Sequence, residues 1–162
     1  MTLEIRLAQP HEYAEIGTIT EDAYVADDLV PDGSGYGPVL RDAARRAREA
    51  ELWVAADGDG LVGTVTTCPP GSSYRELAGE LEGEFRMLAV APRARRRGAA
   101  RALVQHCLDL SRNAGDKRVV LSSEARMHGA HRLYAAFGFS RLPERDWSPV
   151  PGVDLLAFVV EL

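Results

Sequence analysis

Four of the five residues from Arg93 to Arg97 are arginines, within the stretch VAPRARRRGAARALVQ (Val90–Gln105), and a Gly98-Ala99-Ala100 step follows them. The apolar run before them reads as a strand from Phe85 to Val90, and the chain is expected to become helical at Gly98. The first turn of a helix carries unpaired N–H donors and a partial positive charge, which suits a pyrophosphate. Gly98 has no side chain to hold phosphate oxygens off the backbone, Ala99 and Ala100 add little bulk, and the arginines add attraction. P-loop chemistry is excluded, because no Gly-Lys-Ser/Thr follows to hold a nucleotide and magnesium. A nucleic-acid grip is disfavoured as well: no aromatics interleave the arginines, and the chain has a net charge of −5.

Three other arrangements invite chemistry and have simpler explanations. Gly58, Gly60 and Gly63 spell the dinucleotide fingerprint G-x-G-x-x-G, which works only between a strand and a helix. Here the β-branched run TVTT follows, so a hairpin turn is expected, and Asp59 would face the phosphates. His128 and His131 stand three apart on a helix and could touch one metal, but no further ligand cluster accompanies them. A surface pair is expected there, and no metal. Cys68 and Cys107 lack paired spacing and read as reduced, structural thiols of a cytoplasmic protein.

The elements that position the basic loop follow from periodicity. LEIRL (Leu3–Leu7) alternates as a strand, and from His11 onward Tyr13, Ile16, Ile19 and Ala23 recur at helical steps. Val30–Pro38 reads as loop, and Val39–Ala50 as a short Arg-Ala helix. ELWVAAD and LVGTVTTC are strands joined by GDG, and the long connection from Pro69 to Gly83 hints at function. EFRMLAV is a strand. Gly98 to about Asn113 is a helix with Leu103, Val104, Cys107 and Leu108 along one face. RVVLSSE is a strand, HGAHRLYAAF a helix, and GFSRL and VDLLAFVVEL close the sheet. This series is a mixed α/β layer around one sheet. At 162 residues, 46% apolar and 27% charged, the chain is expected to form a single domain over residues 1–162. The first ten residues hold no apolar run, and no stretch approaches the ~20 apolar residues of a membrane span, so neither a signal peptide nor a span is expected.

LAVAPRARRRGAARALV resembles motif A of the GNAT family of N-acetyltransferases, R/Q-x-x-G-x-G/A, with Arg95, Gly98 and Ala100 at its defined positions. AHRLYAAFGF resembles the family's second signature, a helix that carries a tyrosine and ends in Gly-Phe. The order of elements from Leu3 to Leu162 is similar too. The resemblance implies a mostly antiparallel mixed sheet with helices on both faces. Its parallel fourth and fifth strands, Glu84–Val90 and Arg118–Glu124, would splay at a bulge around the pantetheine arm of acetyl-CoA. Backbone groups of Leu88, Ala89 and Val90 would pair with the pantetheine amides, and the Leu88 N–H would face the thioester oxygen. Arg95, Arg96, Arg97, Gly98, Ala99, Ala100 and Arg101 would hold the pyrophosphate.

Two side chains are implied in catalysis. Tyr134 falls at the family's tyrosine acid, toward the CoA sulfur, although its spacing with Ala130, Leu133 and Phe137 also fits a core aromatic. Glu84 falls at a glutamate used as base by histone-acetylating relatives, although it also fits a solvated carboxylate among Glu76, Glu80 and Glu82. Glu124 and a water chain are the alternative bases. The family pattern is broken at Met127, where asparagine is frequent, and at Ala91, where aspartate is common.

The activity implied is direct acetyl transfer, in a ternary complex, from acetyl-CoA to a primary amine of a small molecule or peptide. A catalytically silent CoA-binding or ligand-sensing module, and a protein lysine or N-terminal acetyltransferase, are the alternatives. The acceptor walls implied are Tyr24–Tyr36, Pro69–Gly83 and Pro143–Gly152, with Trp147 as one large apolar surface. Asp22, Asp27, Asp28, Glu76 and Glu80 in or near those walls favour a cationic amine. The expected partners are therefore acetyl-CoA and a cationic amine, with a homodimer left open and neither nucleic acid nor membrane involved.

Overall fold

Alternating and helical runs in the sequence become thirteen strands and helices in a computed structural model that describes residues 2–30 and 35–162. In chain order these are β1 (Glu4–Leu7), α1 (Tyr13–Ala26), α2 (Tyr36–Arg41), α3 (Ala43–Glu49), β2 (Glu51–Asp57), β3 (Gly60–Thr67) and β4 (Glu82–Val90). Then follow α4 (Ala99–Ala114), β5 (Arg118–Glu124), α5 (His128–Ala136), β6 (Ser140–Arg141), β7 (Trp147–Val150) and β8 (Val153–Glu161). The strands form one sheet in the order β1-β2-β3-β4-β5-β8-β6, with β7 paired to β8. β4 and β5 run parallel and the other neighbours antiparallel, with helices packed around the sheet. The expected mixed α/β sheet is therefore present. No helix among the described residues is long and apolar enough to cross a membrane.

Helix α4 shows how pattern becomes packing. Ala99, Leu103, Val104, Cys107 and Leu108 recur every three or four residues and are all buried, a single apolar stripe laid on the sheet. Gly63 on β3 sits under that stripe: an added Cβ would come within 3.0 Å of the Ala89 carbonyl oxygen and 3.1 Å of Leu103 Cδ1. The third glycine of the false fingerprint is thus there for close packing. The other two flank a hairpin turn between β2 and β3, in which the Asp59 N–H donates to Asp57 Oδ1 at 2.7 Å.

Four boundaries differ from expectation. The Arg-Ala helix is two helices, broken at Asp42 (φ −81°, ψ 64°), whose side chain caps α3 by accepting from the Arg45 N–H at 3.1 Å. The loop expected over Val30–Pro38 gives way to α2 at Tyr36, and residues 31–34 of it lie outside the described residues. β4 starts two residues early, at Glu82. Trp147–Val150 forms a strand despite Pro149, which an edge position tolerates because no ladder N–H is needed there.

The feature that matters for function is where the sheet opens. β4 pairs with β5 only at Glu82, Gly83 and Glu84, whereas β5 stays paired with β8 as far as Glu124. Between the pairs Thr64–Ala89 and Thr66–Arg86, β4 advances three residues and β3 two, so β4 carries a bulge. Met87 sits in it at φ 54°, a left-handed backbone that costs a side-chain-bearing residue about 1–2 kcal/mol. Its buried side chain packs with Leu40, Cys68 and Tyr74, which holds the strain in place.

Candidate functional site

The divergence of β4 from β5 leaves a cavity of about 420 Å³. Phe85 to Leu88 of β4 and Leu121 to Glu124 of β5 form its sides. Each of the three segments expected to wall it contributes: Tyr24, Leu29 and Tyr36 from the first, Glu76 from the second, Pro149 and Val150 from the third. Trp147 is not part of the lining. Its indole N–H donates instead to Ser122 Oγ at 3.2 Å, tying β7 to β5.

One edge of β4 is left open toward the cavity. Successive strand residues aim their N–H and C=O at opposite edges. The Ala91 N–H donates to the Val62 carbonyl at 2.8 Å, so Ala91 and Ala89 face β3. Val90, and by alternation Leu88, therefore present their backbone groups to the gap, while Ala89 does not.

Beyond Val90 the chain makes a short 3-10 turn at Pro92–Ala94 and enters α4 through Gly98, at φ 82°. That left-handed backbone suits glycine, and a Cβ added there would meet no protein atom within 4 Å. The first-turn N–H groups of α4 have no acceptor within the helix. Most arginines of the loop are engaged elsewhere. Arg95 pairs with Asp27 at 2.9 Å and donates to the Ala23 carbonyl, tying the loop to α1. Arg97 lies 3.6 Å from Asp57, Arg93 donates to the Leu61 carbonyl, and Arg101 stacks over Phe137 at 5.6 Å. Arg96 is exposed, with φ 68°. What the loop offers a phosphate is thus mainly backbone, with Ala99 turned into the core.

Tyr134 lines the cavity from α5 and is 5% exposed. Its ring lies 6.1 Å from Phe85, 5.7 Å from Phe139 and 6.1 Å from Phe158, centroid to centroid. The ring is part of the core, as its helical spacing allows, and the residue also borders the cavity. Burial pushes its phenol above the usual tyrosine range, with the Cys107 thiol adding to the effect, so the hydroxyl keeps its proton. One turn earlier, His131 Nε2 lies 3.1 Å from Ser123 Oγ and fastens α5 to β5.

Glu84, expected as a base, is held away from the cavity by its surroundings. Glu84 is 4% exposed and lies outside the cavity lining. Its Oε1 accepts from the N–H groups of Glu76, Leu77 and Ala78, each at 3.0 Å, and its Oε2 from that of Glu76 at 3.2 Å. Three consecutive amides wrapped on one carboxylate make a rigid anchor, with Oε1 fully committed. Glu84 therefore fixes the loop that brings Glu76 to the cavity. Glu84→Ala is expected to cost about 2–4 kcal/mol in a denaturant melt, from the orphaned amides, and to speed hydrogen exchange at Glu76–Ala78. Wild-type stability and protection in that variant would contradict the anchor.

Two other carboxylates do reach the cavity. Glu76 lies 3.1 Å from Arg86 Nε, and burial holds its carboxyl above the usual carboxylate range. Glu124, at the end of β5, has Oε1 2.9 Å from Arg126 Nε, while its Oε2 is buried with no hydrogen-bond partner among the described residues. Arg86, Arg126 and the strained Met87 escape sequence reasoning. No local signal marks them: the bulge and the loop wrapped on Glu84 bring Met87 and Arg86 to the cavity, and the turn after β5 brings Arg126.

The remaining titratable candidates lie outside the cavity lining. Burial pushes the Cys68 thiol up to about 12, Glu84 adding to the effect, and raises that of Cys107 as well. Both are free and buried. The His128 and His131 rings lie 6.1 Å apart, and no group of three or more His, Cys, Asp or Glu among the described residues could hold a metal.

Several known proteins are similar to this chain. The sequence pattern of the acetyltransferase (GNAT) family matches residues 16–139. N-acetyltransferase 8B of Rattus norvegicus is 35% identical over 97 residues, 58% of this chain and 41% of that protein, so the match spans under half its length. N-alpha-acetyltransferase 30 of Schizosaccharomyces pombe is 30% identical over 108 residues, 67% of this chain and 69% of that protein. Among solved structures, a GNAT-family acetyltransferase from Staphylococcus aureus Mu50 superposes with a TM-score of 0.77 over 99% of both chains, at 13% identity. The ribosomal-protein-alanine N-acetyltransferase of Brucella melitensis gives 0.68 over 98% of this chain and 99% of that one, at 21% identity. Identities this low speak for the fold alone.

Proposed function

This chain belongs to the acetyltransferase (GNAT) family, and on that premise we propose that it moves an acetyl group from acetyl-CoA directly to a primary amine in a ternary complex. The observation that carries the reading is the alignment of three features along one path. Leu88 and Tyr134 line the same cavity, and from Leu88 the chain runs through the unpaired edge at Val90 and a short turn into the first turn of α4. A thioester on a long amide-bearing arm ending in a pyrophosphate has a partner for each part of that path. The chain acts in this reading as one domain of the cytoplasm, in keeping with its two free thiols.

The pantetheine amides pair with Val90 and Leu88 as an added strand. The Leu88 N–H donates to the thioester oxygen, where negative charge grows as the amine attacks. The docked ammonium first gives one proton to the Glu124 carboxylate, which releases it to solvent; the amine nitrogen then bonds to the carbonyl carbon, the C–S bond breaks, and the second nitrogen proton passes to the same carboxylate. Tyr134 gives its hydroxyl proton to the leaving thiolate and is re-protonated from solvent. The pyrophosphate rests on backbone N–H groups between Arg96 and Arg101, with Arg96 the cation beside it. Arg95 acts on the cofactor indirectly, by fastening the loop to Asp27.

Gly98→Glu tests the cradle. Space is free around Gly98, so the variant should fold. Its strained φ and a carboxylate facing the pyrophosphate are expected to weaken CoA binding ~10²-fold by calorimetry. Gly98→Ala, which adds strain without charge, should fall between the two. CoA affinity unchanged in Gly98→Glu would place the pyrophosphate elsewhere. CoA binding with no amine turned over would leave a CoA-binding module without catalysis.

A further inference from the structure

We infer that the acceptor is a primary monoamine carried on an apolar body about the size of an aromatic ring. The inference rests on the N-acetyltransferase reading and names the substrate class of the same cavity. Composition favoured a cationic amine, through Asp22, Asp27, Asp28, Glu76 and Glu80, and left a polycation among the acceptors open. The structure removes that field group by group. Asp27 is spent on Arg95 at 2.9 Å, and of the five only Glu76 lines the cavity. Glu76 is itself paired with Arg86 at 3.1 Å, and the other lining carboxylate, Glu124, with Arg126 at 2.9 Å. The charged side chains of the lining are thus two acids and two arginines, with no net charge to gather a polyamine.

One acceptor atom is left over. Buried side-chain polar atoms without a hydrogen-bond partner occur at Arg46, Thr66, His106 and Glu124 among the described residues, and only Glu124 lines the cavity. A buried carboxylate oxygen with no donor is unfavourable until one arrives. Glu124 thus puts one carboxylate beside the cavity, its second oxygen uncommitted and able to take one ammonium group once the side chain turns outward, whereas Glu76 is already paired with Arg86.

The rest of the wall is mostly apolar, with Ser122 and Ser123 as polar exceptions on β5. Leu29, Tyr36 and Val39 line it from the α1–α2 side, and Val150, Val153 and Leu155 from the β7–β8 hairpin. Val39 and Val150 are 42% and 54% exposed, two of the five large hydrophobic side chains left exposed among the described residues. Two uncovered valines at one cavity, from elements far apart in the chain, mark a surface for an apolar ligand to cover. The volume of about 420 Å³ takes a ring-sized body beside the acetyl end of the cofactor.

The test is kcat/KM with acetyl-CoA for 2-phenylethylamine, hexylamine, putrescine, spermidine and two peptides, one with a free N-terminus and one with a lysine. The two apolar monoamines are expected to exceed both polyamines by ~30-fold or more, the scale of burying one ring. Val150→Asp, on an exposed strand, should lower kcat/KM for 2-phenylethylamine ~10-fold and leave CoA affinity unchanged. A polyamine or peptide preferred over the monoamines overturns the acceptor inference and leaves the transferase reading standing. No turnover of any amine while CoA still binds overturns the transferase reading, and this inference with it.

Discussion

Tyr134→Phe is expected to lower kcat ~10- to 10³-fold on a good amine acceptor while KM for acetyl-CoA stays close to wild type. The ring sits in an aromatic cage of Phe85, Phe139 and Phe158, and phenylalanine fills that cage equally well. No hydrogen bond to the Tyr134 hydroxyl is made among the described residues, so its removal orphans no protein group, and thermal stability should hardly move. The effect is thereby confined to chemistry. Burial raises the phenol pKa, which keeps the donor protonated through neutral and alkaline pH and also makes it a reluctant acid. The leaving thiolate is desolvated in the same cavity, and desolvation raises a thiol pKa by the same physics. The two pKa values therefore rise together, and donation stays feasible as the C–S bond breaks. Steady-state kinetics and a melt on the same preparation decide the matter. Full kcat in Tyr134→Phe would make the residue packing alone and give the proton to solvent.

Local features of this protein were legible because they depend on neighbours in the chain. Helical spacing in α4 and α5 placed Leu103 inward and Tyr134 both in the core and at the gap, and TVTT turned a false fingerprint into a hairpin. The strand–loop–helix step at Gly98 was readable for the same reason: glycine relaxes the backbone where the turn needs it. The illegible parts depend on partners remote in sequence. Arg95 looks like a phosphate ligand until Asp27, 68 residues earlier, takes its guanidinium. Glu84 looks like a base on a splayed strand until the amides of Glu76 to Ala78 fold back onto it. The bulge at Met87 has no glycine or asparagine to announce it, because long-range packing with Leu40 and Tyr74 pays for the strain. The acidic excess near the acceptor walls is real in composition, yet ion pairs at Glu76 and Glu124 cancel it where it would count.

Those ion pairs leave one oxygen uncommitted, and the second large effect is expected there. Glu124→Gln should reduce kcat/KM ~10²-fold at pH ~7, with CoA affinity unchanged. Glutamine has the shape of glutamate and can still accept from Arg126, so the local structure survives while the base is lost. An alkylamine with a pKa near ~10 is only about one part in 10³ unprotonated at pH ~7, and the free amine alone can attack. With Glu124 present, the ammonium docks against the carboxylate and gives up its proton in place. Without it, the enzyme must wait for amine that is already neutral in solution. The rate of the variant should then climb about tenfold per pH unit and approach wild type near pH ~9–10. Wild type should be much flatter over the same range. Glu84→Gln, whose carboxamide oxygen still accepts from the loop amides, is the control and should keep the wild-type pH profile. A Glu124→Gln profile parallel to wild type, at undiminished rate, would hand the proton to a chain of waters. A flattened Glu84→Gln profile would return the role to the carboxylate that the loop encloses.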